Sequence, residues 1–287
     1  MFFVKKYEKK FKKDIHIWRR TMQILVAVFF ILLPILNNNG FSFIWGNFLN
    51  IHVGSLTFSD PLAVFQVIIQ NQYLPIRLLI SAGMVLTIAF FLGTVFCSWI
   101  CPFGLLSELM NRLACQVRPK KNINTKTLES AVFVKVATFC AGFFVVWAFF
   151  SRPVLNQVSL PFQYSNIFQY IFNQKYMSIV TWIIGAILVV EFIFRTRIWC
   201  RWICPQSVLI GLVKLLNPFR LKIIFKEKNC ISSKVPAPCR KACSLGLDPR
   251  HLNVMNDVQC TNCGDCVDAC RKTGRALGFS FGKQQNH

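Results

Sequence analysis

The sequence predicts an all-α membrane protein: four transmembrane helices arranged as a duplicated two-helix unit, with a small cysteine-rich module at the C-terminus. Three observations predict it. The 287 residues are 54% hydrophobic and include 29 Phe, more apolar than soluble domains run. The motif CxxxCP occurs twice, at Cys97–Pro102 and Cys200–Pro205, each closing an apolar stretch. Seven of the 13 cysteines crowd residues 230–270.

Four stretches suit a helix crossing about 30 Å of hydrocarbon: Thr21–Leu36, Ile76–Phe96, Ala131–Phe150 and Ser178–Phe194. The first is not read as a cleavable signal, because Ile35-Leu36-Asn37 lacks the small-residue cleavage pattern and a long basic arm precedes it. The net charge of +22 is unevenly placed. Eight of the 33 Lys and Arg precede the first span, six lie between Arg112 and Lys135, and sixteen follow the fourth span. The stretch 37–75 has none, and 151–177 has only Arg152 and Lys175. That alternation is the positive-inside pattern. It predicts a multi-pass protein of the inner (cytoplasmic) membrane with both termini and the middle loop cytoplasmic. It assigns the basic residues to topology and anionic lipid, with no nucleic acid as partner.

An offset of 103 residues aligns the two motifs and also pairs Phe65-Gln66 with Phe168-Gln169, Ile68 with Ile171 and Tyr73 with Tyr176. Pro34–Asn37 resembles Pro153–Asn156 across a longer gap. Two spans per unit give both copies one orientation, so both CxxxCP motifs emerge on the same face. The predicted organisation is a basic arm (1–20), a first membrane repeat (21–104), a cytoplasmic linker (105–130) and a second repeat (131–207). An amphipathic linker (208–229) and the cysteine module (230–287) follow.

Cytoplasmic thiols stay reduced, which favours metal ligation over disulfides. Cys260, Cys263, Cys266 and Cys270 are spaced x2, x2, x3, the bacterial ferredoxin pattern for a [4Fe–4S] cluster. A structural zinc site more often uses two separated CxxC pairs. Upstream, Cys239 and Cys243 reproduce the third and fourth positions of a first such motif, with Cys230 as an earlier ligand. Cross-ligation puts Cys243 with Cys260, Cys263 and Cys266, and Cys270 with Cys230 and Cys239. The second set is one thiolate short. It suits a three-iron cluster, a non-cysteine ligand, a borrowed CxxxCP thiol, or no cluster. In CxxxCP, Cys97, Cys101, Cys200 and Cys204 are candidate metal ligands, i and i+4 on a helical face unless Pro102 and Pro205 end it. Cys115 and Cys140 read as packing residues. No CxxCH occurs, which excludes c-type haem attachment.

Four spans, two CxxxCP motifs and a C-terminal ferredoxin module resemble the NapH/MauN group of ferredoxin-type membrane proteins. The first cysteine motif departs from the complete pair usual in that group. The resemblance implies a membrane component associated with quinol oxidation in periplasmic nitrate reductase and related systems. NosR-like and CcoG/RdxA-like proteins share the motif combination, but this chain lacks room for a long N-terminal flavin domain. The expected function is electron transfer between the quinol pool and another ferredoxin-type or cytochrome redox subunit. On this reading the chain is a subunit of a quinol dehydrogenase rather than a stand-alone enzyme. Two other classes compete: a copper reductase or maturation factor using the four soft thiols, and a non-redox assembly anchor. For the quinol site, the candidates are Glu191 in the fourth span, Arg77 at the start of the second and His52 in the outer loop. Arg77 at the interface and a Glu191–Arg195 pair are the structural alternatives.

Overall fold

Long apolar runs give the two longest helices, the first carrying Pro34 only in its last turns. In the computed structural model, α1 covers Ile15–Asn38 and α6 covers Thr125–Phe149. The structure describes residues 15–40, 43–54, 56–71, 76–117, 125–149, 159–172, 179–231, 237–252, 254–271 and 274–281. The Pro153–Asn156, Tyr73 and Tyr176 positions of the repeat lie outside them. Among these residues two helices are long and apolar enough to cross a membrane, His16–Asn38 and Ala131–Phe149.

The other two expected spans are shorter. Helix α3 (Ile76–Leu92) has 17 residues and α8 (Ile179–Phe194) has 16, about 24–26 Å at 1.5 Å per residue. Each is stopped by a left-handed residue. Gly93 (φ +67°) ends α3 before the short α4 (Val95–Trp99), and Arg195 (φ 57°) follows α8. The apolar surface nonetheless faces outward: Phe133, Phe149 and Trp182 are 76%, 79% and 73% exposed, a surface suited to lipid rather than water.

The expected outer loop is not all irregular. It holds a three-stranded antiparallel meander, β1 (Ile44–Asn47), β2 (Asn50–Val53) and β3 (Leu56–Ser59). Asn47 Oδ1 accepts the backbone N–H groups of Leu49 (3.1 Å) and Asn50 (3.0 Å), closing the first turn. Gly46 is required there: its φ is +127°, and a Cβ would lie 2.1 Å from the Asn50 carbonyl oxygen. The Phe48–Leu49 turn is buried, with Phe48 packed 5.2 Å from the Phe30 ring and 5.6 Å from Phe96. The hairpin therefore folds back along α1. Helix α2 (Pro61–Asn71) follows, with Asp60 accepting the N–H groups of Leu62 (3.2 Å) and Ala63 (3.3 Å) as a cap.

Helix α5 (Pro102–Val117) follows the first CxxxCP, and α9 (Pro205–Leu216) follows the second. Between α6 and α8 lies α7 (Leu160–Phe172). One core joins Phe30, Leu33, Phe103, Leu160, Ile184 and Trp199 with Cys101 and Cys204. A second belongs to the C-terminal module. There β4 (Leu221–Phe225) pairs antiparallel with β5 (Leu277–Phe281) around α10 (Pro238–Ala242), α11 (Val254–Gln259) and α12 (Asp265–Arg271).

Candidate metal centres

The two CxxxCP segments fold alike at their ends. The Cys101 N–H donates to the Phe96 carbonyl (3.1 Å) and the Cys204 N–H to the Trp199 carbonyl (2.9 Å). Both bonds run i to i−5, the wide turn of a π-bulge, a geometry frequent at functional sites. Pro102 and Pro205 then open α5 and α9, where a missing N–H costs nothing. The prolines thus start helices as well as ending the turns.

All four thiols line one cavity, together with Lys135, Pro161 and Trp199. Two buried cations stand against it. Arg197 donates to Ser107 Oγ (3.3 Å), the Gly104 carbonyl (3.4 Å) and Cys200 Sγ (3.5 Å). Lys135 Nζ donates to the Cys200 carbonyl (2.9 Å). Buried cations are costly unless paired; Glu108 and Glu191 offset part of the Arg197 charge, and thiolates at the four cysteines would supply more. Among the described residues no three His, Cys, Asp or Glu side chains converge on a single ion. One tetrahedral ion would draw thiolates to about 3.8 Å from each other, whereas a cubane holds them farther apart. The all-sulfur donor set with flanking cations fits a cluster.

Gly104 sits where the two halves touch. A Cβ there would lie 2.5 Å from the Cys97 carbonyl oxygen and 3.4 Å from Arg197. Gly104→Ala is therefore expected to push the first motif away and destabilise the protein by about 1–3 kcal/mol. A melting curve and iron content per chain check it.

In the module, Asn262 (φ 51°) and Gly264 (φ 85°) bend the loop from Cys260 to Cys263 back toward α12, which carries Cys266 and Cys270. Asn262 Nδ2 fixes the loop by donating to the Leu221 carbonyl (3.0 Å). Cys243, Cys260, Cys263 and Cys266 line one cavity walled by Ile223, Leu247 and Leu252, the same four that cross-ligation groups. Cys239 neighbours Cys270, and Arg250 lies within electrostatic reach of Cys239 and Cys230. Burial pushes the Cys260 thiol up to about 11 and the Cys263 thiol up to about 12. As bare side chains both stay protonated at neutral pH, so taking up iron as thiolates releases protons.

The two cavities adjoin. Leu245 and Thr261 line both. Thr94 Oγ1 donates to the Cys260 carbonyl (2.5 Å) and Ser98 Oγ to that of Thr261 (2.7 Å). Arg201 Nη1 donates to the Leu245 carbonyl (3.1 Å), and Lys214 Nζ to that of Cys260 (3.0 Å). Ser98 and Arg201 occupy the same place in the two motifs, directly after the first cysteine, so each copy grips the module.

The three quinol candidates are scattered. Glu191 is fully buried; it accepts the Ser107 hydroxyl and the Trp199 backbone N–H (3.0 Å), and so buttresses the second motif. Arg77 is exposed in the first turn of α3. The His52 ring stacks on Trp45 at 3.9 Å. Sequence reasoning missed Arg197 and Lys135 as companions of the thiols. It saw them only as members of basic runs.

A family model described as a 4Fe-4S binding domain matches twice, at residues 74–124 and 177–223, each match enclosing one CxxxCP. Among curated relatives, the putative electron transport protein YccM of Escherichia coli is 28% identical over 210 residues, 71% of this chain and 57% of YccM. The chain thus spans little more than half of that relative. The ferredoxin-type protein NapH of Haemophilus influenzae is 22% identical, covering 88% of this chain and 85% of NapH. The methylamine utilization ferredoxin-type protein MauN of Methylorubrum extorquens is 26% identical, covering 89% and 75%. No solved structure matches. These likenesses are to ferredoxin-type iron–sulfur proteins, and the two family-model matches support 4Fe-4S binding. Among such proteins the chain is similar to those of NapH/MauN type.

Proposed function

We propose that this chain passes electrons between membrane quinol and a second redox subunit, of ferredoxin or cytochrome type. On this reading Cys243, Cys260, Cys263 and Cys266 hold a [4Fe–4S] cluster. Cys97, Cys101, Cys200 and Cys204 hold a second iron–sulfur centre at the membrane. Cys230, Cys239 and Cys270 are ligands of a further, cysteine-poor site. The observation that carries the reading is the shared wall of Leu245 and Thr261 between the first two cavities. Side chains one residue thick leave a short path for single electrons. The protein's own part is positioning and electrostatics: Arg197 and Lys135 offset thiolate charge, and the apolar walls exclude water. Oxidising a quinol releases two electrons and two protons, while an oxidised cubane accepts one electron, so each quinol serves two successive transfers.

The charge alternation supports a multi-pass arrangement with both termini in the cytoplasm. Helices α3 and α8 would then be the second and fourth crossings. Anaerobic protein incubated with a reduced quinol analogue is expected to develop a reduced-cluster EPR signal within the mixing time. Iron and acid-labile sulfide are assayed on the same sample. Clusters that respond to dithionite but never to quinol would sink this reading.

A further inference from the structure

We infer that an apolar cavity beside the CxxxCP thiols binds the quinol, with the Gln206 amide as the group that holds its head. This rests on the quinol reading above and adds the site, which none of Glu191, Arg77 or His52 lines. The cavity measures about 760 Å³ between α1, the hairpin and α3, within the usual range for small-molecule sites, roughly 300–1,000 Å³. Its walls are mainly aliphatic and aromatic, Phe29, Val85 and Ala89 among them, with Ser59 and Asp60 as polar residues at the hairpin end. Leu25 and Ile88 line it while being 59% and 52% exposed on the apolar outer surface, so it opens sideways toward lipid.

The floor distinguishes this cavity from a plain acyl-chain groove. Phe96 and Ile100 immediately precede Cys97 and Cys101, and Gln206 lies two residues after Cys204. A molecule resting on that floor is therefore next to both motifs. Gln206 is 8% exposed, and its Nε2 has no hydrogen-bond partner. A buried amide donor without an acceptor is unfavourable. A quinone or quinol oxygen supplies that acceptor, whereas a hydrocarbon tail leaves it unmet. Size, lateral access, an unpartnered amide donor and adjacency to the CxxxCP thiols together specify a lipophilic ring with a polar edge.

The test is photoaffinity labelling of the full chain with a short-tailed azido-ubiquinone, the labelled peptides being mapped by mass spectrometry. Saturable labelling of α1 and α3, competed by unlabelled ubiquinone but not by phospholipid, is the expected result. Gln206→Leu should weaken half-saturation about tenfold, and Ala89→Phe should abolish labelling by filling the cavity. Iron content and the dithionite-reduced spectrum serve as folding controls for both variants. Saturable labelling mapped elsewhere overturns the inference, as does labelling that phospholipid displaces or that is never saturable. Labelling requires no electron transfer. A chain labelled here but never reduced by quinol loses the functional reading alone; a chain reduced by quinol but labelled elsewhere loses only the site.

Discussion

Cys243→Ser is expected to erase the same EPR signal as Cys263→Ser, whereas Cys270→Ser is expected to leave that signal in place. Sequence proximity argues the reverse, since Cys270 closes the run that begins at Cys260 and Cys243 lies outside it. Geometry decides otherwise. Cys243 shares a cavity with Cys260, Cys263 and Cys266, while Cys270 neighbours Cys239. A serine hydroxyl is a poor substitute for a soft thiolate ligand, so losing one of the four should drop that cluster's signal to background. Quinol-driven reduction of the partner should vanish with it, because the lost cluster is the one that adjoins the membrane thiols. Low-temperature EPR of the three variants, normalised to iron and labile sulfide, checks the grouping. If Cys270→Ser removes the signal and Cys243→Ser spares it, each motif holds its own cluster and the cross-ligated assignment is wrong.

The cysteine chemistry was legible in the sequence because ligation demands particular residues at fixed spacing. Two CxxxCP copies at an offset of 103 stand out in any background, and the family-model matches begin 103 residues apart, at 74 and 177. Helix ends were less legible. Gly93 is one of 14 glycines and Arg195 one of 33 basic residues, and nothing local marks either as a stop. The hairpin at 44–59 was read as loop because four-residue strands carry little periodicity. Charge was the least legible of all. Counting basic residues gave only an expected topology, whereas Arg197, Arg201, Lys214 and Arg220 are buried and bonded within the protein. A residue's partner across the fold is not written in its neighbours, so the same side chain that reports orientation can also lock the module.

Arg19 is the sharpest instance. It belongs to the basic arm that sequence reasoning gave to lipid, yet it is fully buried. Its Nη2 donates to Glu108 Oε1 and to Asp265 Oδ1, both at 2.9 Å, joining α1, α5 and the start of α12. Arg112 also reaches Glu108 (3.1 Å) and Asp265 (3.7 Å), but its side chain is 45% exposed. Arg19→Met keeps most of the volume and removes the fully buried cation, leaving Glu108 to Arg20 (2.5 Å) and Arg112, and Asp265, among the described residues, to Arg112 alone. Leaving a buried charge wholly unpaired costs about 3–5 kcal/mol, an upper bound here because Arg20 and Arg112 remain, whereas removing an exposed partner costs up to about 1 kcal/mol. Arg19→Met is therefore expected to loosen the module from the membrane core, with faster proteolysis there and slower reduction by quinol, while Arg112→Met remains close to wild type. Adding Glu108→Gln to Arg19→Met should recover part of the loss, since it leaves Arg112 to Asp265 alone. The comparison separates docking from ligation: cluster content should hold in Arg19→Met while electron transfer falls. Equal behaviour of the two arginine variants would show that the module is held by the Thr94, Ser98 and Arg201 contacts instead, and that the buried ion pair is incidental to docking.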